Sequence, residues 1–319
     1  MSKTSKSPRK VAAVALWVGQ RALPDYSSRF SPKTFTQAQL FACLALKAFF
    51  KTDYRGIVAY LDDLPGLRKL LELKKVPHYT TLQKAAARLL AGEDAGGTSG
   101  DGRRIKDLIT HTLYAAHGDL DAVAKPLPAY VFHTTAVDST GFDAQRASRY
   151  FVRRRRSKAS DQVEETTYKR FAKLGLIADC DSHLILATYR GVGPRPDVDQ
   201  LYDTLEGMCL NALPRKLLAD AGYDSEHNHE MLREYLEIDS LIPARAGRPT
   251  GKLPKGKYRR QMAADFNETL YGQRWQVETV MFMLKNNLGD AVAARSEKAW
   301  GDELALKAVT HNIMIAHAA

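Results

Sequence analysis

Ala129-Tyr130-Val131-Phe132-His133-Thr134-Thr135-Ala136-Val137-Asp138 is the run on which the architecture turns. It is dense in β-branched and aromatic residues, which suit a pleated, largely buried strand, and it predicts a strand with Asp138 at its end. Downstream, Leu174 to Asp179 and His183 to Tyr189 are two more apolar runs separated by the tight polar turn Cys180-Asp181-Ser182. Three antiparallel strands in a meander are the simplest arrangement of these segments.

The pattern then alternates. After a Gly/Pro-punctuated loop at Gly191 to Pro196, Val198 to Leu210 predicts a helix, and Lys216 to Ala219 a buried strand that Asp220 ends. Ser225 to Leu236 predicts a helix, Leu241-Ile242-Pro243 a short strand, and Gly272 to Leu288 a long helix. Three strands followed by helix, strand, helix, strand and helix describe an α/β fold, a mixed sheet flanked by helices. In such sheets ligands collect at the carboxyl ends of the strands, so Asp138 and Asp220 are placed to meet. The C-terminal stretch from Ala299 to Ala316 is expected to be a packed core helix.

Upstream of the sheet the signal is helical. Leu40, Phe41, Leu44, Phe49 and Phe50 recur on one face, Pro65-Gly66 marks a break, and Pro77-His78-Tyr79-Thr80-Thr81 opens a further helix through Arg88. With Thr80, Thr81, Gln83 and Lys84 in its first turns, that helix suits either a DNA major groove or a solvated face. Residues 91–102 are glycine-rich and polar and read as a linker, followed by a helix around Ile105 to His117. The expected organisation is a flexible basic arm at 1–10, an all-helical module with its linker at 11–102, and an α/β domain at 103–319 with a short basic insertion at about 244–270.

Composition narrows the function. The chain has 319 residues, 47 Lys and Arg against 36 Asp and Glu, and a formal charge of +11. A basic balance of this size favours a polyanionic partner, nucleic acid first, because each phosphate contact releases a counterion. Three scattered cysteines form neither a disulfide framework nor a Cys-x-x-Cys zinc site and fit a reducing cytosol. The longest apolar stretch, Leu40 to Phe50, is interrupted by Lys47 and too short to span a bilayer, so no membrane association is expected and the cytoplasm is the expected location.

Carboxylates that converge repel one another unless a cation neutralises them, and an all-oxygen set suits Mg2+ or Mn2+. Two such ions roughly 4 Å apart serve phosphodiester chemistry. The third carboxylate is expected from the long helix, where Tyr271, Arg274, Glu278 and Lys285 fall within an arc of roughly 60° at about 100° per residue. The plainer reading of the same stripe is a solvated face with an Arg274–Glu278 pair at i,i+4.

The sequence resembles bacterial insertion-sequence transposases of the DDE type that carry the signature Tyr-x2-Arg-x3-Glu-x6-Lys. Tyr271, Arg274, Glu278 and Lys285 match it at every spacing. The likeness extends to Ala136-Val137-Asp138-Ser139-Thr140, to Leu218-Ala219-Asp220-Ala221-Gly222-Tyr223-Asp224 and to Gly193-Pro194-Arg195-Pro196-Asp197. The resemblance implies a ribonuclease H-like catalytic fold, binding of double-stranded transposon ends, metal-dependent cleavage and strand transfer, and a homodimer in the synaptic complex. It implies metal-ligand and catalytic positions for Asp138, Asp220 and Glu278, with two Mg2+ or Mn2+ ions, and DNA-contacting positions for Tyr271, Arg274 and Lys285. The segment from Pro243 to Tyr271 is shorter than the β-rich insertion of some relatives and holds no Trp, which counts against a base-flipping hairpin step.

Two basic runs remain. Arg153, Arg154, Arg155 and Arg156 form the densest, expected either to track a DNA backbone or to be a solvated loop. Arg245, Arg248, Lys252, Lys255, Lys257, Arg259 and Arg260 form the second, expected to be a mobile DNA-contacting loop. Asp224 is expected to cap the helix after it. Two other functions share these features: a nuclease of the same fold that hydrolyses without joining, and a non-catalytic DNA-binding protein, against which the three intact carboxylates argue.

Overall fold

The computed structural model describes residues 4–90, 101–117, 132–146, 150–156, 163–208, 213–244 and 253–316. The helical part begins with α1 (Pro8–Ala22), which Pro8 opens and Ser7 caps by accepting from the Lys10 backbone N–H at 3.4 Å. The expected flexible arm is therefore folded from Ser5 onward: the Ser5 N–H donates to the Met314 carbonyl at 2.8 Å, and its side chain is buried. In α2 (Gln37–Phe49), Thr36 and Gln39 form a reciprocal capping box at 2.9 and 3.1 Å. Its Ala38 crosses α1 so closely that a Cβ at Gly19 would lie 2.9 Å from the Ala38 Cα.

Four further helices follow: α3 (Tyr54–Asp63), α4 (Pro65–Leu70), α5 (Tyr79–Leu89) and α6 (Asp101–Ala116). Leu82, Ala85, Ala86 and Leu89 give α5 a buried stripe at helical spacing, leaving Gln83 and Lys84 exposed. His78 caps this helix, and Arg88 turns inward to donate to Gln37 Oε1 at 3.2 Å. Residues 91–100 of the expected linker lie outside the described residues.

The strands begin with β1 (Thr134–Ala144), β2 (Tyr150–Arg156), β3 (Val163–Lys169), β4 (Phe171–Asp179) and β5 (Ile185–Gly193), of which β2 and β3 form a two-stranded sheet of their own. Then come α7 (Leu201–Glu206), β6 (Lys216–Ala219), α8 (Glu226–Glu230), β7 (Asp239–Leu241), α9 (Lys257–Ala264), α10 (Glu268–Tyr271), α11 (Trp275–Leu288), β8 (Ala291–Val292) and α12 (Glu297–Ala316). The strand order is β5-β4-β1-β6-β7, with β8 on the far end of β1. β1, β4 and β5 are antiparallel and β6 and β7 run parallel to β1. This is the ribonuclease H-like mixed sheet with a helical N-terminal region that the resemblance implied.

Two expectations about this region are overturned. The stretch around the four arginines is not a loop, since β2 and β3 pair antiparallel from Tyr150↔Lys169 to Arg156↔Val163. The described part of the second basic stretch is ordered too. Glu226 caps α9 by accepting from the Tyr258 and Arg259 backbone N–H groups at 3.0 and 3.1 Å. Arg259 pairs with Asp224 at 2.6 Å, and Arg260 donates to the Pro254 carbonyl. Residues 245–252 lie outside the described residues. Asp224 is consequently an ion-pair partner with a fully buried side chain, and Ser225 caps α8 in its place.

α12 is buried without interruption from Leu304 to Ile315 because it has two cores to fill. Ala305, Leu306, Val309 and Ile313 pack with Phe41, Leu44, Leu82 and Leu108 of the helical module, while Trp300, Leu304 and Ala308 pack on the sheet with α11. Two of its buried polar residues tie it to the edge of the sheet: Asn312 accepts from the Ile185 N–H at 2.8 Å and donates to the Ile185 carbonyl at 2.7 Å, and His311 meets the His183 carbonyl at 3.0 Å. Because one helix serves both cores, unfolding should be a single transition. Phe41→Ala, which removes a fully buried ring, is expected to cost about 3–5 kcal/mol and to move that whole transition in urea. Two separate transitions, by near-UV and far-UV circular dichroism, would contradict the shared core.

Candidate active site

Asp138 does not end its strand, as β1 continues to Ala144. What ends there is the pairing with β6, whose last partners are Val137↔Ala219. Asp138 and Asp220 are thus the next residues on two adjacent parallel strands, at the point where the strands part. Asp138 shares its sheet face with Ala136, which packs in the core beneath Val277, Val280 and Leu284 of α11. The third carboxylate, Glu278, comes from that same helix.

Each aspartate is held by its own backbone. The Ser139 N–H donates to Asp138 Oδ1 at 2.7 Å, and the Gly222 N–H donates to Asp220 Oδ1 at 2.7 Å as Asp220 caps a single 3-10 turn at Ala221–Tyr223. A Cβ at Gly222 would lie 2.8 Å from Asp220 Oδ1, so any larger residue there would push that carboxylate aside. Burial pushes the Asp138 carboxyl above its ordinary value; the Ser139 N–H opposes the rise, and the nearby Asp220 adds to it.

Arg274 stands among these acids. Its guanidinium lies 3.4 Å from Asp138 Oδ2 and donates to Glu278 Oε1 at 2.5 Å. Burial works against its charge, yet the bond to Glu278, Tyr271 and Asp138 hold its pKa above the usual value. Tyr271, at the end of α10, sits edge-on to Phe266 with centroids 5.0 Å apart, and burial raises its hydroxyl pKa. Lys285, two turns beyond Glu278, donates to Thr140 Oγ1 at 2.6 Å, with its pKa pulled down by burial. The helical run through α10, the 3-10 turn Gly272–Arg274 and α11 therefore does place Tyr271, Arg274, Glu278 and Lys285 along β1. Arg274 and Lys285 point inward to partners on the protein.

Asp197, a loop residue to which the sequence pattern assigns no role, is a fourth acid near the site. It accepts from Ser139 Oγ at 2.6 Å and pairs with the buried Lys173 at 2.7 Å. The clue was Lys173, a lysine inside an otherwise apolar strand. Also unassigned by the sequence, Trp275 and Phe282 are large apolar residues of α11 that remain more than half exposed. Arg153, Arg154, Arg155 and Arg156 lie on β2, in the hairpin joined to β1 and β4, in register with Thr166, Glu165, Glu164 and Val163.

Among the described residues, no three His, Cys, Asp or Glu side chains are close enough to form a closed metal cage. The donor chemistry nonetheless suits a hard divalent cation. Asp138, whose carboxyl is pushed up by burial and by the neighbouring Asp220, gains from positive charge there, and the third carboxylate, Glu278, is more than half exposed and paired with Arg274.

The fold is thus a ribonuclease H-like mixed sheet with two aspartates leaving neighbouring central strands and a glutamate on the helix that covers them. The chain belongs to the transposase DDE domain family, whose model matches residues 133–313, more than half of its length. It is accordingly a DDE transposase, and enzymes of this kind generally use divalent metal ions. Among solved structures it is similar to a piggyBac transposase synaptic complex with hairpin DNA, at 12% identity over 97% of this chain and 72% of that one, TM-score 0.39. It is similar also to a pre-cleavage Mos1 transpososome, at 12% identity over 93% and 83%, TM-score 0.23. No curated protein matches it. Among the described residues no helix is long and apolar enough to cross a membrane.

The raised pKa of Asp138 carries a stability prediction. Between the ordinary carboxyl value of 3.8 and the raised folded value, the folded protein keeps a proton that the unfolded chain has lost, so stability falls as pH rises through that window. Above it the charge is a standing penalty. Asp138→Asn should therefore raise Tm at pH 7 in chelator, with the gain disappearing near pH 3; a lower Tm at pH 7 would contradict the electrostatic account.

Proposed function

We propose that the chain is a bacterial insertion-sequence transposase that binds the inverted repeats at its element's ends, cleaves the phosphodiester backbone and joins the ends to target DNA. The observation that carries this reading is the placement of Asp138 and Asp220 one residue past the last β1–β6 pair, under the helix that bears Glu278.

In this reading Asp138, Asp220 and Glu278 hold two Mg2+ or Mn2+ ions. When bound, such ions raise the nucleophilicity of a hydroxyl and stabilise the leaving oxygen of an in-line displacement. The chain's own groups do the positioning. Ser139 and Gly222 fix one oxygen of each aspartate, and the second oxygen of Asp138 is turned toward Arg274. Glu278 is free to reorient because its carboxylate is exposed. Arg274 balances the negative charge before substrate binds and offers its guanidinium to a phosphate once Glu278 turns away. Tyr271 and Lys285 extend the same face along the DNA strand.

The hairpin carrying Arg153, Arg154, Arg155 and Arg156 follows β1 directly and is proposed to track the DNA backbone. The helical module at 11–102, with Gln83 and Lys84 exposed on α5, is proposed to read the inverted repeat. Handling two ends calls for two copies in the synaptic complex, and the substrate places the enzyme in the bacterial cytosol, at the nucleoid.

A strand-transfer assay with a labelled element end tests the reading. Asp138→Asn and Glu278→Gln should each reduce cleavage roughly 100-fold or more, the scale of several kcal/mol of lost charge stabilisation, while end binding stays within about twofold. Cleavage without any joined product would assign the chain to nucleases instead. Replacing Arg153, Arg154, Arg155 and Arg156 by Ala should flatten the plot of log affinity against log salt by roughly 0.9 for each phosphate left without a cationic side chain; an unchanged slope would remove the hairpin from the DNA interface.

A further inference from the structure

A second polar group lies behind the carboxylates. Ser139 follows Asp138 on β1 and so points to the opposite face of the sheet. Lys173 of β4 pairs with Gly141 on β1, two residues further, and points the same way. Its side chain is only 7% exposed, between Ala172 and Leu174. An ammonium in such a place requires full pairing. It obtains this from Asp197 Oδ1 at 2.7 Å and from the Arg195 carbonyl at 2.5 Å, both in the loop that follows β5.

The same Asp197 oxygen accepts the Ser139 hydroxyl at 2.6 Å, and the buried Tyr223 hydroxyl also contacts Ser139. Tyr223 belongs to the 3-10 turn that Asp220 caps. Ser139 therefore joins four pieces of chain: β1 through its backbone, β4 through Lys173 and Asp197, the loop after β5, and the turn after Asp220. Its N–H occupies Asp138 Oδ1, which leaves Oδ2 directed toward the side where Arg274 and Glu278 stand.

We propose that Lys173 and Asp197 are positioning residues, which act through Ser139 to fix the orientation of Asp138 and its spacing from Asp220, and thereby set the affinity of that pair for a divalent cation. This rests on the reading of Asp138 and Asp220 as metal ligands. Two carboxylates on diverging strands repel each other and move apart unless the backbone beneath them is held. The Lys173–Asp197 pair supplies that hold from the side away from the DNA.

The test is Mn2+ binding to the full chain without DNA, followed by electron paramagnetic resonance, with Tm measured on every variant. Asp138→Asn should lose high-affinity Mn2+. Asp197→Asn, Lys173→Met and Ser139→Ala should weaken Mn2+ binding roughly 10- to 100-fold, the usual cost of removing a group that orients a ligand. Ser139→Thr, which keeps the hydroxyl, should stay near the wild-type value. In cleavage, kcat should fall while KM for the DNA end holds. Should Lys173→Met fail to fold, Ser139→Ala, which removes a single oxygen, decides. Wild-type Mn2+ affinity in Ser139→Ala and Asp197→Asn, with only Tm lowered, overturns the proposal and leaves the metal assignment standing. Unchanged binding in Asp138→Asn overturns the assignment, and this proposal with it.

Discussion

The parallel pairing of β1 with β6 is the constraint on which the rest of the molecule depends. It joins segments some eighty residues apart and stops at Val137↔Ala219, so that Asp138 and Asp220 emerge side by side. Backbone hydrogen bonds supply the pairing and apolar burial of Val137, Leu217 and Ala219 on one face and Ala136 and Leu218 on the other supplies the stabilisation. Both work in part against the repulsion of two carboxylates. Arg274 offsets that repulsion from above, and the Ser139, Asp197 and Lys173 cluster holds the strand from below.

The helix that bears Glu278 is tied to the N-terminal helices as well as to the sheet. Three lysines from distant parts of the chain meet the carboxyl end of α11. Lys307 binds the carbonyls of Leu288 and Gly289, Lys51 binds the Asn286 carbonyl at 2.8 Å, and Lys6 reaches the Asn287 side chain at 2.5 Å. Positive charge at that end complements the helix dipole and the last unpaired carbonyls. Lys6 and Lys51 come from the N-terminal helical part, so a change in how those helices sit would be felt at α11, and α12 inside both cores makes the link rigid.

What sequence reasoning missed has a common physical origin. β2 and β3 escaped because Tyr150-Phe151-Val152-Arg153-Arg154-Arg155-Arg156 ends in four like charges and reads as solvated; its strand state comes from backbone pairing with β3, from Tyr150↔Lys169 to Arg156↔Val163. α9 escaped because its cap, Glu226, and its anchor, Asp224, lie more than thirty residues earlier. The Ser5 region read as a tail because nothing local shows that Met314 will accept its N–H. In each case the partner that decides the local structure lies outside the segment itself.

The sequence alone determined the elements whose signal is local. The apolar strand before Asp138, the strand Lys216 to Ala219 and the helix bearing Glu278 each carry their own periodicity, and the spacing of Tyr271, Arg274, Glu278 and Lys285 follows from the pitch of a helix. Only the tertiary structure decided how charge is shared among them. That Arg274 lies between Asp138 and Glu278, that Lys285 rests on Thr140, and that Asp197 and Lys173 brace the strand from behind depend on distances across the sheet, which no one-dimensional pattern encodes.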